Sequence, residues 1–386
     1  MSERFEYVVI GLGGLGSGAA YHLAKAGHSV LGIEQFELGH ERGASHDTSR
    51  ILRHSYHTPE YVRLTFDAYD DWASLEADSG EHLVTTVGGL DLFPAGAVID
   101  IEEYDSSLRA LEVGFERLDR DEIAARWPQF VLPEGTRGLY QERGSIVPAA
   151  RGVAAMQAMA RKFGAELRDN SPVSGVRDLG LDGIEVTVGD STVRCRRLVV
   201  CADAWTNQVL AGLNWQVHLT TTLEQVTYFE PGDATPFAPG RFPLWIWMDD
   251  PSYYGFPTYG EATVKAAEDC GGAVVTGDDR TFEPDPERRA RLAAFMESTF
   301  PGSGRPVRSK TCLYTLTNDR DFLIGPVPGH DNVLVGVGAG HSFKFAPTIG
   351  RMLAEVAATG HTGYDLHPFR LDRPGVAADA PILWMV

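Results

Sequence analysis

The chain has 386 residues, 43% of them hydrophobic, and carries 53 acidic against 34 basic side chains for a net charge of -19. That length exceeds one average domain, so two domains with large apolar cores are expected. The charge speaks against a nucleic-acid or anionic-membrane partner, and no apolar run reaches the length of a membrane span.

Residues 5–10 read as a short buried parallel strand, and Gly11-Leu12-Gly13-Gly14-Leu15-Gly16 follows it directly. In such a fingerprint Gly11 permits a tight turn, Gly13 lets backbone approach a pyrophosphate, and Gly16 allows the next helix to lie close to the strand. The spacing predicts that helix over 17–26, with Ala19, Ala20, Leu23 and Ala24 on one face and Gly27 as its stop. Its N-terminus, Gly14 included, offers N–H groups and a positive dipole end to phosphates. Residues 30–34 make the second strand, and Glu34 falls about 20 residues on, where a carboxylate binds ribose hydroxyls and disfavours a 2′-phosphate. The unit serves NAD or FAD alike.

Further along, residues 61–78 form an amphipathic pattern with Leu64, Tyr69, Trp72 and Leu75 among its apolar positions, and Pro148 opens a second helical stretch ending at Gly164. Residues 198–202 are another buried strand. From about 225 to 265 the texture changes to alternating, aromatic strands, which predicts an antiparallel sheet distinct from the parallel one. The last third returns to α/β: a strand over 332–337, a loop at Gly338-Ala339-Gly340-His341-Ser342, and a helix from Pro347 to Gly360. The dipole of that helix suits negative charge on a flavin ring. The expected fold is an α/β, FAD-binding Rossmann-like domain with a parallel sheet, plus an α+β substrate domain built on an antiparallel sheet. Residues 1–85, 140–215 and 310–386 are assigned to the first, 86–139 and 216–309 to the second.

Cys195, Cys201, Cys270 and Cys312 show no CxxC pair and no metal-ligand spacing, so no metal is expected. With no signal-peptide pattern at the start, a cytoplasmic location is expected. Cys312, in Lys310-Thr311-Cys312-Leu313-Tyr314-Thr315, is either an inert buried thiol or a reactive one.

The chain resembles the monomeric sarcosine oxidase and N-methyltryptophan oxidase group of the glycine/D-amino-acid oxidase flavoproteins. The resemblance runs along nearly the whole length, through the glycine fingerprint, Arg50-Ile51-Leu52-Arg53-His54, Tyr253-Tyr254-Gly255-Phe256-Pro257, Lys265, the Cys312 run and Gly340-His341-Ser342-Phe343-Lys344-Phe345. It implies FAD attached covalently through Cys312, a substrate carboxylate held by Arg53 and Lys344, and Lys265 as the group near the flavin that promotes reaction with oxygen. His46, Arg50, Gly338, Gly340 and His341 are assigned as further cofactor contacts, Tyr254 and Tyr314 as pocket walls.

The implied reaction takes a hydride equivalent from a secondary amine or cyclic imino acid bearing a carboxylate to flavin N5; oxygen then gives an imine and hydrogen peroxide. The expected partners are that small molecule and O2, and the expected state is a monomer. Rival readings are an NAD-dependent dehydrogenase, or a flavoprotein dehydrogenase passing electrons to a partner. Two departures from the family pattern stand out. Asp269, beside Glu268, replaces a histidine, which puts sarcosine in doubt and assigns Asp269 to a polar or cationic group of a larger substrate, with Trp245 and Trp247 enlarging the aromatic side of the pocket. Asp47 replaces a glycine near the flavin.

Overall fold

The computed structural model describes residues 3–377; the ends of the assigned cofactor unit, 1–2 and 378–386, lie outside the described residues. Its first sheet grows around Glu3–Ile10, whose burial on both faces follows from the run Tyr7-Val8-Val9-Ile10. Tyr7 and Val9 enter the core shared with the helices, while Val8 and Ile10 enter the core on the opposite face. Each fully buried Val or Ile of this kind contributes roughly 1.5–3 kcal/mol. Glu3–Ile10 pairs in parallel with Ser191–Val200 and Val30–Ile33, and Val30–Ile33 with Glu166–Arg168. His330–Val337 joins the end of Ser191–Val200 in parallel, through Leu198 opposite Val333. Val173–Asp178 and Ile184–Val188 extend the sheet antiparallel, giving eight strands with Leu323–Val327.

Three helices, Gly14–Lys25, Ala149–Lys162 and Ala346–Thr359, cover one face. The first starts three residues before the predicted 17, because Gly13 is its N-cap, and it ends before Gly27 at φ +86°. It passes close to Ala346–Thr359 at two glycines. A Cβ on Gly18 would lie 2.5 Å from the Ala346 carbonyl oxygen, and one on Gly350 would lie 2.4 Å from the Gly18 carbonyl carbon. The long helix Pro59–Ser79 buries Leu64, Tyr69, Trp72 and Leu75, as its pattern predicts, and Trp72 Nε1 donates to the Lys344 carbonyl oxygen at 2.7 Å.

The second sheet has nine strands in the order Ala273–Val274, Thr220–Glu230, Val264–Asp269, Ser252–Phe256, Leu244–Trp247, Gly89–Phe93, Arg137–Gln141 and Glu116–Asp119, with Arg305–Leu316 on the other side of Thr220–Glu230. It is antiparallel apart from one parallel pair, Leu244–Trp247 with Gly89–Phe93. Helix Pro286–Thr299 closes its back, where Leu292 and Met296 pack with Phe229, Trp245 and Phe300. A three-stranded sheet, Arg50–Leu52, Ser145–Val147 and Thr85–Thr86, forms the remaining strand layer.

Candidate active site

A cavity runs from the fingerprint loop to the front of the second sheet. At one end it is lined by Gly11, Gly13, Gly14 and Glu34, and at the other by Arg53, Tyr254, Asp269, Tyr314 and Lys344, with Gly338, Gly340 and His341 along the way. Gly11 has φ +86°, and a Cβ there would sit 2.4 Å from the Cys201 carbonyl oxygen, so only glycine lets the turn close. At Gly16 a Cβ would fall 1.8 Å from the Gly11 carbonyl oxygen. Glu34 Oε2 accepts from Leu12 N–H at 2.9 Å and Oε1 accepts from Phe36 N–H at 3.2 Å, which fixes the carboxylate at the edge of the loop. Burial pushes its carboxyl up, but His40 and these N–H donors outweigh that and hold it below the usual range.

The residues fit a bound dinucleotide. The N-cap Gly13 has no side chain and no acid lies in the first turn of Gly14–Lys25, so apart from Ser45 Oγ, which accepts from Gly14 N–H at 2.9 Å, its positive end is open to the cavity. Glycines at both loops leave room that Cβ atoms would fill: at Gly340, φ +83°, a Cβ would come within 2.8 Å of the Tyr314 ring. Among the described residues, His341 Nδ1, on the lining, is buried with no hydrogen-bond partner, so a polar contact there remains open to a ligand.

At the far end the cavity is rich in cations. Arg53 is buried and its Nη1 donates to Asp91 Oδ2 at 2.9 Å; Ser55 Oγ donates to the same oxygen. Lys344, by contrast, donates to neutral oxygens, Tyr56 Oη at 2.8 Å and the His341 carbonyl at 3.0 Å. Burial, then Arg53, lower its pKa to about 7, with Asp269 opposing. Asp269 takes a hydrogen bond from Tyr314 Oη at 3.3 Å on Oδ1, and Arg320 Nη2 stands 3.8 Å from Oδ2. The wall therefore contains two acid–base pairs, Arg53–Asp91 and Arg320–Asp269, with Lys344 between neutral partners.

Four assigned residues stand outside the lining: Gly16, Cys312, Lys265 and His46. Cys312 is a buried thiol, with its neighbours Leu313, Tyr314 and Thr315 on the cavity; burial pushes its pKa up to about 11 against the pull of Arg50. Lys265 is 3% exposed, with Nζ donating to the Ser49 carbonyl and pairing with Asp47. His46 is likewise buried beside the cavity, and burial lowers its pKa to about 4. Arg50 does line it, and ties the preceding loop together by donating to the Ser49 and Ala44 carbonyl oxygens at 2.8 Å each.

The expectation for Trp245 and Trp247 is corrected. Side chains alternate along Leu244–Trp247, so Ile246 faces the cavity and both tryptophans face the back, where Trp245 lies 4.5 Å from the Phe300 ring and Trp247 5.4 Å from that of Phe295. Tyr253 and Tyr254 divide in the same way, Tyr253 stacking on Phe295 and Tyr254 lining the cavity.

Several lining residues escaped the sequence reading. Arg320 sits in Asn318-Asp319-Arg320-Asp321, which looks like a solvated charge run, yet it is 1% exposed. Tyr56, on the lining, gave no motif signal, nor did Asp91, which stands behind it as the partner of Arg53. Asp203, at φ +48°, is a cavity carboxyl whose pKa burial raises to about 6, against a hydrogen bond to Thr315. A carboxylate directly after a buried strand that abuts the fingerprint was the available signal.

Comparison with known proteins agrees with this geometry. The FAD dependent oxidoreductase family, designated DAO, matches residues 6–356. A monomeric sarcosine oxidase from Streptomyces avermitilis is 35% identical over 99% of this chain and 100% of its own length. The N-methyl-L-tryptophan oxidase of Escherichia coli is 28% identical over 96% of this chain and 99% of its own. Among solved structures, NikD, an unusual amino acid oxidase essential for nikkomycin biosynthesis, superimposes with a TM-score of 0.86 at 26% identity, covering 96% of this chain and 98% of that one. A glycine loop cradling one end of the cavity, cations at the other and full-length similarity lead to one assignment: the chain belongs to the FAD dependent oxidoreductase family, in its monomeric sarcosine oxidase and N-methyltryptophan oxidase group.

Proposed function

We propose that the protein is an FAD-dependent oxidase of a secondary amine or cyclic imino acid bearing a carboxylate, with FAD bonded to Cys312, oxygen as acceptor and hydrogen peroxide as product. It works as a monomer in the cytoplasm. The observation that carries this reading is the single cavity joining the Gly11–Glu34 loop to Lys344. Both curated relatives quoted above are named as oxidases of N-methyl amino acids, which supports an amine beside a carboxylate.

Gly11, Gly13, Gly14 and Glu34 would hold the dinucleotide end, and Gly338, Gly340, Arg50 and His341 the ring end. When bound, FAD supplies the two-electron acceptor that takes a hydride equivalent from the C–H next to the amine and passes the electrons to oxygen. Lys344 holds the substrate carboxylate by charge. Arg53 adds planar donors, its own charge balanced by Asp91. The cationic wall favours a neutral substrate amine, the form that can release hydride. Tyr254, Tyr314 and Ile246 exclude water, and holding the reacting bond in place supplies much of the rate. Asp269 and Arg320 meet a polar group of a substrate larger than sarcosine.

A second reading, a dehydrogenase that hands electrons to a partner, is favoured by Lys265 facing Asp47 instead of the cavity surface. Intact mass and the colour of the acid-precipitated protein test the covalent link: a flavin adduct and a yellow pellet are expected, both absent in Cys312→Ser. A colourless wild-type pellet sinks the attachment. Peroxide formed under air, compared with the reduction of an artificial dye, separates oxidase from dehydrogenase. A substrate screen repeated with Asp269→His tests the pocket, and an unchanged profile removes Asp269 from substrate reading.

A further inference from the structure

Lys265 and Asp47 form a buried ion pair behind the cavity wall. Nζ lies 2.9 Å from Oδ2, and the two residues are 3% and 8% exposed. The ammonium also donates to the Ser49 carbonyl oxygen at 2.9 Å and to Ser49 Oγ at 3.0 Å. Asp47 in turn accepts from Tyr228 Oη at 2.5 Å. Its φ is +80°, a backbone region that glycine enters freely and other residues enter under strain. A side chain kept at a strained position invites a role, and the contact supplies one.

An ammonium out of water stays protonated only beside a counter-charge; without one it loses its proton. The groups around this pair can be named. Asp47 faces Lys265 from the loop, Arg50 from Arg50–Leu52 and Cys312 from Arg305–Leu316, while the Phe256 ring lies 5.0 Å from Nζ. Around Asp47 stand Tyr228 and Arg50, with Lys310 Nζ at 4.0 Å and Glu41 and His46 beyond. Burial lowers the Lys265 pKa to about 8, Asp47 resists that fall and Arg50 adds to it. Asp47 is the one acid in direct contact with Nζ among the described residues.

We propose that Asp47 is a positioning residue whose carboxylate keeps Lys265 protonated and turned onto Ser49, so that reaction of the reduced flavin with oxygen depends on this acid as well as on the lysine. The last clause rests on the role given to Lys265 above; the charge on the lysine does not.

The chain has five lysines, Lys25, Lys162, Lys265, Lys310 and Lys344. Lysine labelled with 13C at Cε therefore gives a small set of NMR resonances, and Lys265→Met assigns the one of interest. Titration of the flavin-loaded and flavin-free protein reads the charge directly. The Lys265 midpoint near 8 is expected to fall by about one pH unit or more, a tenfold effect or greater, in Asp47→Asn and in Asp47→Gly, the second of which also relieves the backbone. Stopped-flow reoxidation of the dithionite-reduced protein reads the consequence: it should slow by about fivefold or more at the wild-type midpoint in both variants, approaching about tenfold a unit or two above it, with anaerobic reduction by substrate unchanged. An unmoved midpoint in both variants, or faster reoxidation, overturns the proposal. Should Lys265→Met reoxidise like wild type while the midpoint still moves, the oxygen role of Lys265 fails and the charge argument stands.

Discussion

Lys344 is an ammonium in a place that does not favour one. It is held by Tyr56 and a carbonyl oxygen, both neutral, with Arg53 nearby as a like charge. Its pKa of about 7 is below the ordinary lysine value, so the proton is present below that pH and lost as pH rises through it. A bound carboxylate needs the protonated form. The affinity for an unreactive carboxylate analogue, followed by flavin absorbance, is therefore expected to weaken as pH rises through about 7, and Lys344→Met should bind roughly 10- to 100-fold more weakly with no such dependence, the range expected for one charge-assisted hydrogen bond. A flat wild-type profile would remove Lys344 from carboxylate binding. Arg53 illustrates the limit of reading one residue at a time. Its type and place suggest a carboxylate clamp, while the charge left for substrate depends on Asp91, 38 positions away in the chain.

At the scale of elements, the two glycine loops are coupled through the helices they feed. Gly14–Lys25 and Ala346–Thr359 approach so closely at Gly18 and Gly350 that either Cβ would strike the other helix's backbone. Gly350→Val should push the helices apart and misalign both loops. Overpacking of this kind costs about 1–3 kcal/mol, so a lowered melting temperature together with reduced flavin content is expected. Wild-type melting would show that the helices can slide without loss. The helices, their glycine stops and the strand before the fingerprint were legible in the sequence because period and capping are local properties. The inward face of Leu244–Trp247 was not. Two tryptophans flanking one isoleucine read as an aromatic pocket wall, yet alternation only sorts side chains into two faces, and the helix Pro286–Thr299 decides which face is the back.

Across the whole molecule, the cavity is bounded by strands and loops of both large sheets, so a bound dinucleotide would touch both. We propose the two-unit division accordingly, with Arg305–Leu316 lying in the second sheet through its full pairing with Thr220–Glu230. Protein made in riboflavin-starved cells should melt below the flavin-loaded form, because the contacts FAD makes only in the folded cavity stabilise the folded state. Hydrogen exchange should then quicken around residues 43–50 and 338–344, and added FAD should restore both. Identical exchange with and without flavin would place the cofactor elsewhere. No helix among the described residues is long and apolar enough to cross a membrane.

What the sequence determined by itself was the nucleotide end: strand, glycines, helix and Glu34 are contiguous, and each constraint acts within a few bonds or one turn. The far end had to wait for the tertiary structure. Asp91 with Arg53, Arg320 with Asp269, and Asp47 with Lys265 are separated along the chain by tens to hundreds of residues. The charge a buried group carries is set by whichever partner folding brings within a few ångströms, and burial removes the water that would otherwise make those partners interchangeable.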